Sequence, residues 1–507
     1  TNYDNQLHNT LNTPQLSCGD IYFNLVPLKR IMQHVITQKL ALDEKKAYLL
    51  YIGELKTLTL CDSLLPLLSE KYERTFETIA ITPDVRSSYD GIDNLIVINP
   101  LVKSLKSNIT SINHVRIPQG IFYQSVSESG LVAKLCETLS KTQDKIPLYV
   151  YGNDPSLSIQ KEKIFEVIAP DPVVSERYNN KVLQLIMARE KRIPMPEGVV
   201  AETFEEACTL FKEKKSEWGK IFCSAEFSAG GERSLIASSI EEIKDKFRFL
   251  QKDSRFLLTH YYDTVATPSV LGIIANSKEI FVANVVDQMI MGTAFRGSIY
   301  PSNLPYTVQE DARAITRRLG RIIAKDGYRG AFGADFIVTD DEDVYFIEIN
   351  ARKQGTTQET EYAMKHIVPL SNSFVELEYQ ALTEGHMVCD IEEIENALRP
   401  KNAPFHWATY NVKTLNPVSV LKDAGIHFTE AVMFGRYRAN QGSTRAVIMD
   451  HVGKNVVVHQ GFIGRTAAIG ETREKTLMKL KEAKELIYQT LSPKDQLRLR
   501  SENGGIP

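Results

Sequence analysis

Two apolar runs set close together around an acidic turn constrain this chain most. Residues 333–338 read Gly-Ala-Asp-Phe-Ile-Val, a buried strand, and residues 344–350 read Val-Tyr-Phe-Ile-Glu-Ile-Asn, the returning strand. Asp340-Asp341-Glu342-Asp343 is the polar turn between them. Alternation sends Glu348 and Asn350 to one face, where Asp335 can join them from the paired strand, with Arg352 just beyond. Two carboxylates and an amide oxygen suit a hard, octahedral cation that keeps open positions for phosphate: Mg²⁺, with Mn²⁺ as the alternative ion. An arginine beside such a site is a natural phosphate clamp. The plain alternative is a hairpin with a solvated acidic face. The upstream aspartate, the short turn and the following arginine weigh against it.

At 507 residues the chain exceeds what one core supports and calls for roughly three domains. A hydrophobic fraction of 43% and a charged fraction of 24% are ordinary for a globular protein. The net charge of −3 gives no electrostatic reason to expect nucleic acid or an anionic membrane as partner. Six scattered cysteines without a C-x-x-C pair fit a reducing compartment better than a disulfide framework or a zinc site. No stretch approaches the ~20 apolar residues of a membrane span, and Thr1 to Gln6 lack the character of a secretion signal. The expectation is a cytoplasmic protein acting on small molecules, with a homodimer left open.

Short apolar strands at 47–52, 78–81, 94–98 and 147–151 alternate with helical stretches at 62–71 and 127–139, an α/β domain over residues 1–168. Ala169-Pro170-Asp171-Pro172 reads as a hinge into a middle unit, residues 169–388. There a helix at 174–191 precedes the stiff turn Ile193-Pro194-Met195-Pro196, a second helix at 203–215 and a strand at 220–224. Further strands follow at 256–259 and 269–275, and an amphipathic helix at 311–325 leads to the acidic hairpin. Residues 389–507 read as a small α+β domain, with β-rich runs at 445–451 and 455–460 and a helix at 471–491. The fold class is therefore α/β followed by α+β.

Ser228 to Ser234, a loop of small residues with Gly230, Gly231 and Arg233, can set backbone N–H groups against phosphate oxygens. There is no G-x-x-x-x-G-K-[ST] motif, and the glycines at 327, 330 and 333 precede a strand instead of following one, so neither a P-loop nor a Rossmann fingerprint is present.

Across residues 170–385 this order of elements resembles the ATP-grasp superfamily of carboxylate–amine ligases. The resemblance implies an N-terminal α/β domain, a grasp core with a lid at about 195–275, and ATP and Mg²⁺ as cofactors. Lys181 resembles the family's first ATP-contacting lysine, and Ser228, Gly230 and Gly231 lie in what resembles its flexible phosphate loop. Thr259, His260 and Tyr261 fall where the hinge strand offers backbone groups to adenine. Asp335, Glu348 and Asn350 match the metal positions and Arg352 the arginine of the E-x-N-x-R form. Ser224 stands where the family has a second lysine, with Lys220 and Arg233 the nearby cations. Thr259 and His260 replace the usual hinge glutamate, and Asp263 is the only acid near the ribose position.

The resemblance further implies that a substrate carboxylate takes the γ-phosphoryl group of ATP and that an amine then displaces phosphate. Arg296 and Arg352 are the candidates for holding the acyl-phosphate, a surface salt bridge being the other reading of Arg296. The alternatives are a nucleotide-binding protein without ligase activity and a kinase that stops at phosphoryl transfer. Residues 354–360 read equally as an acceptor-pocket loop and as an ordinary helix-capping loop. The segment 461–466 reads as a glycine-jointed loop in which Arg465 is a solvated charge before it is a substrate contact. The extra C-terminal domain, with Asp287-Gln288 ahead of Gly297 and Pro301, is similar in layout to pheganomycin-type peptide ligases. That likeness points to amino acid or peptide substrates.

Overall fold

Runs such as Ala47–Ile52, apolar on both faces and wholly buried, demand cover on two sides, and a mostly parallel sheet supplies it. In the computed structural model, which describes residues 35–89, 91–102, 112–114, 116–227, 233–247, 254–369, 371–402, 405–424 and 445–504, this strand lies inside a six-stranded sheet. The order is Val35–Lys39, Leu95–Ile98, Phe76–Thr82, Ala47–Ile52, Ile146–Val150, Phe165–Ile168, and only the first strand runs antiparallel. Two apolar cores, one on each face, hold this layer.

Two stretches expected as single helices are each broken. The helix expected at 127–139 starts instead at Gly130, capped by Ser129, and Ser127 ends a separate helix, Gln119–Ser127, before it. Residues 174–191 divide into Pro172–Tyr178 and Lys181–Glu190, because the Asn180 side chain accepts from the Leu183 N–H and starts a new helix. Lys181 is thereby the first residue of a helix, not a mid-helix residue.

A four-stranded antiparallel sheet follows in the order Ser234–Ala237, Ile221–Ala225, Phe256–His260, Gly198–Ala201. Its apolar face is covered by Phe204–Trp218 and Ile240–Phe247. Pro268–Ile274, at the end of the expected lid, instead lies in an eight-stranded antiparallel sheet. From one edge to the other, that sheet runs Val344–Asn350, Gly330–Val338, Pro268–Ile274, Ile280–Met291, Ala294–Tyr300, His406–Thr414, Gly461–Gly470, Arg445–His451. The strands of the expected C-terminal domain thus continue the sheet of the middle unit, through the pairing of Gly297 with Tyr410. A built Cβ at Gly297 would lie 2.0 Å from the Thr409 carbonyl oxygen, so only glycine permits this seam. The segment expected as a glycine-jointed loop at 461–466 is strand Gly461–Gly470; buried pairing on both sides overrides its glycines.

No helix of the described residues is long and apolar enough to cross a membrane. The five described cysteines are free.

Candidate functional site

The acidic hairpin forms as its pattern requires. Gly330–Val338 pairs antiparallel with Val344–Asn350, Asp335 stands opposite Glu348, and a bulge follows between Asp335 and Phe336. Val344–Asn350 is the edge strand of its sheet, so its outer backbone groups need partners. Buried Gln184 meets Ile349 twice, accepting from its N–H (2.7 Å) and donating to its carbonyl (2.9 Å). Asn179 accepts from the Ala351 N–H (3.0 Å), and Phe346 donates to the Pro194 carbonyl (2.9 Å). These bonds dock helix Lys181–Glu190 on the hairpin and bring Lys181 Nζ to 2.9 Å from Glu348 Oε2. Lys181, Glu348, Asp335, Asn350 and Arg352 are thus one cluster.

Asp335 accepts from Asn350 Nδ2 (2.8 Å), Gln288 Nε2 (2.8 Å) and Gln354 Nε2 (3.1 Å). Burial and then repulsion from Glu348 push its carboxyl up to about 6. Asn350 Oδ1 accepts from Arg352 Nη2 (2.9 Å). Gln354 is fixed in turn by the Ser269 hydroxyl (3.1 Å), and Gly333 makes room for it, since a Cβ there would lie 1.8 Å from Gln354 Oε1. Behind the hairpin, wholly buried Lys353 pairs with wholly buried Glu378 (3.0 Å). Gln288 and Gln354 were not expected to touch Asp335. Their signal was faint: strand alternation through Ile280–Met291 for one, a position two residues past Arg352 for the other.

No group of three or more His, Cys, Asp or Glu that could hold a metal converges among the described residues. A cation here has to be held by the two carboxylates and the amide oxygen. That donor set fits a hard divalent ion, and positive charge would relieve the repulsion that raises Asp335.

Residues 180–356 match the family model of the ATP-grasp domain. They are an ATP-grasp domain. The chain is 32% identical over 133 residues to the L-propargylglycine–L-glutamate ligase of Streptantibioticus cattleyicolor, a match that covers 26% of this chain and 27% of that one. The chain therefore spans about a quarter of the length of this curated relative. The fold is shared with Campylobacter jejuni biotin carboxylase, at a TM-score of 0.59 and 13% identity, covering 89% of this chain and 92% of the other. It is also shared with the ATP complex of carboxyaminoimidazole ribonucleotide synthase from Aspergillus clavatus, at a TM-score of 0.54 and 13% identity over 88% and 100%.

Of the other expected site residues of this ATP-grasp domain, Ser224, Thr259 and His260 lie on the four-stranded sheet. That sheet meets the hairpin cluster where the Lys181 N–H donates to the Glu226 carbonyl (3.0 Å) and Tyr262 stacks on Tyr345. Ser224 is wholly buried in strand Ile221–Ala225, opposite Ser234 and Leu257, and its hydroxyl has no hydrogen-bond partner among the described residues. Lys220 is drawn to Asp263 (2.9 Å). Thr259 pairs with Gly198 and Phe222, while the His260 N–H donates to the Glu197 carbonyl (2.8 Å) and the Tyr261 N–H to the Lys220 carbonyl (3.1 Å). Both of those amide donors are engaged inside the protein. His260 stacks on Trp218 with ring planes 10° apart. Ser228, Gly230 and Gly231 lie outside the described residues.

Arg296 is buried, not a surface ion pair, and points away from the hairpin, donating to the Asn503 side chain (3.4 Å) and the Glu502 carbonyl (3.2 Å). Arg465, read as solvated, is only 2% exposed and sits 3.6 Å from the wholly buried carboxylate of Glu359. Burial raises the phenol of Tyr151 while Arg352 and Arg465 pull it down, so both guanidiniums act on the same tyrosine. Tyr151 donates to the Gln354 carbonyl (2.5 Å). Of residues 354–360, Thr357 onward is a buried helix, Thr357–Ile367, so the expected loop shortens to Gln354-Gly355-Thr356.

Proposed function

We propose that this protein is an ATP- and Mg²⁺-dependent carboxylate–amine ligase that forms a peptide or amide bond between amino acids or peptides. The observation that carries the reading is the cluster inside the ATP-grasp domain, where Lys181 lies 2.9 Å from Glu348 and Asp335, Asn350 and Arg352 adjoin it. Glutamate ligation by the curated relative supports an amino acid substrate.

In this reading Asp335, Glu348 and Asn350 hold the metal. When bound, Mg²⁺ supplies positive charge to the phosphoryl oxygens. A substrate carboxylate oxygen bonds to the γ-phosphorus, the bond to the β-phosphate oxygen breaks, and ADP leaves. The amine then bonds to the activated acyl carbon and loses a proton as inorganic phosphate departs. Lys181 and Arg352 contribute fixed cations where negative charge accumulates. Their orientation is preset, Lys181 by its helix start and Arg352 by its bond to Asn350. Gln288 and Gln354 hold Asp335 in place without adding charge.

Incubation with ATP, Mg²⁺ and a pool of amino acids and peptides tests this through ADP release and product mass. ADP with a condensed product is the expected outcome. A stable phosphorylated product indicates a kinase, and saturable ATP binding without turnover a nucleotide-binding protein.

A further inference from the structure

A second cluster of charged side chains, here termed the recess, lies near the hairpin cluster, where the segment after strand Ala47–Ile52 meets strands His406–Thr414 and Gly461–Gly470. Its cations are Lys56, Arg116 and Lys413. Lys413 is the cross-strand partner of Phe462, and the Lys56 ammonium lies 5.6 Å from the Phe462 ring centre. Arg116 borders the same strand end, its Cβ 4.0 Å from where a Gly461 Cβ would stand. The recess is tied to the hairpin on two sides. Lys413 Nζ donates to the Phe295 carbonyl (3.2 Å), and the Phe295 ring packs on Gly355, next to the Gln354 that holds Asp335. The Gln358 side chain donates to the Lys56 carbonyl (2.7 Å).

Lys413 is the cation of this recess that lacks a carboxylate close by among the described residues. Glu54 pairs with Lys56, but Lys413 has no carboxylate within 4 Å among the described residues, its ammonium resting on one backbone carbonyl. Burial, then Lys56, Arg116 and Arg296, push the Lys413 amine down to about 7 against the pull of Glu54. Burial opposes ionisation of Glu54 as well, yet Lys56, Arg116 and Lys413 hold its carboxyl below the ordinary range. The Glu54 side chain is 47% exposed and Lys413 is half-buried, so the recess borders solvent. Beyond it, Arg86 is already taken by Asp450 (2.7 Å) and Asp84 (3.7 Å). A half-buried cation crowded by like charge and lacking a counter-ion is costly, and an arriving anion removes the cost.

We propose that this recess binds the free carboxylate of the amine-bearing substrate, with Lys413 and Lys56 as its cations and Phe462 beneath them. The assignment rests on the ligase reading. The reacting carboxylate belongs at the hairpin, whereas an amino acid or peptide acceptor carries a second carboxylate that needs a cation one step away. Gly355 and Phe295 lie between the two places.

The test compares amino acids with their amides, glycine against glycinamide and alanine against alaninamide, as acceptors, beside hydroxylamine, which has no carboxylate. The parent protein is expected to favour the acids. Lys413→Met is expected to lose at least ~10-fold more in kcat/KM with the acids than with hydroxylamine, the worth of one charge-assisted hydrogen bond. Lys413→Arg is expected to restore the preference, which a merely misfolded variant would not show. Equal use of acids and amides by the parent, or an equal loss with hydroxylamine, overturns the proposal. Absence of any hydroxamate from the parent overturns the ligase reading instead, and a binding measurement then decides the recess separately. In the ¹³C-methylated protein, acetate is expected to shift the Lys413 signal and raise its titration midpoint. No shift, or a shift with inorganic phosphate alone, overturns the carboxylate assignment.

Discussion

Glu348 and Ser224 lie in two different sheets at positions where the resemblance expects nucleotide-phosphate contacts, and their surroundings differ sharply. Around Glu348, Lys181 pairs with its carboxylate, and Asp335 stands opposite it on the next strand, held by three amide side chains, one of which accepts from Arg352. Around Ser224, the strand is buried and apolar on one face, the hydroxyl has no partner among the described residues, and the nearest lysine on that strand's edge is drawn to Asp263. Among the described residues the hairpin side carries the fixed cations Lys181 and Arg352, whereas Ser224 is itself neutral and has exposed Arg233 next to its cross-strand partner Ser234. The contrast teaches that a grasp-like cleft can place its charge on one wall, provided that wall is rigid.

The sharpest way to break this comparison is Glu348→Gln, which removes one negative charge while keeping shape. ATP turnover is expected to fall at least ~100-fold with the fold intact by circular dichroism, as when a positioned electrostatic group is lost. Activity near that of the parent would sink the metal assignment, and with it the claim that the hairpin wall is the working one.

Rigidity is tested next. Gln184→Leu leaves the N–H and carbonyl of Ile349 without their partner at the sheet edge. An unpaired buried polar group costs ~1–3 kcal/mol, so denaturant unfolding should show a loss of that size. ATP use should suffer too, because Lys181 is carried on the same helix. A stable variant with normal kinetics would show that the helix is held otherwise.

These residues mark what was legible in the sequence. The hairpin was legible because a period of two and an acidic turn specify it locally, and Asp335, Glu348 and Asn350 do meet there. The helix break before Lys181 was not, because Asn179 and Asn180 look like ordinary helix residues until one sees Asn179 accept from Ala351. Arg465 looked solvated beside glycines, yet strands on both sides bury it. Arg296 lies in strand Ala294–Tyr300 as its position allowed, but which face meets helix Pro493–Asn503 depends on pairing with His406–Thr414, more than a hundred residues away in the chain. Local pattern names elements; non-local pairing decides which way their charges point.

The charge on the hairpin wall also sets a pH dependence. Asp335 is held up at about 6, so below that pH a proton must leave before a cation binds. Mg²⁺ affinity by calorimetry should weaken about tenfold per pH unit below 6, with proton release. Stability without metal moves the other way. The raised carboxyl favours the folded state in acid, and that contribution fades as pH rises from about 4, the unfolded value, through 6. A Mg²⁺ affinity flat from pH 5 to pH 7.5 would mean that Asp335 does not touch the ion.

The smallest expected effect is at Ser224, and it is the most discriminating for the other wall. Its hydroxyl is buried and unpartnered among the described residues, so Ser224→Ala removes a polar group that contributes nothing there. Stability should change by less than ~1 kcal/mol, and upward if at all, because an unmade hydrogen bond is relieved. The KM for ATP should move less than ~3-fold, below the ~1 kcal/mol worth of a single net hydrogen bond. A tenfold rise in that KM would make Ser224 a direct nucleotide contact. The two walls would then share the phosphates, and the hairpin would no longer account for ATP binding alone.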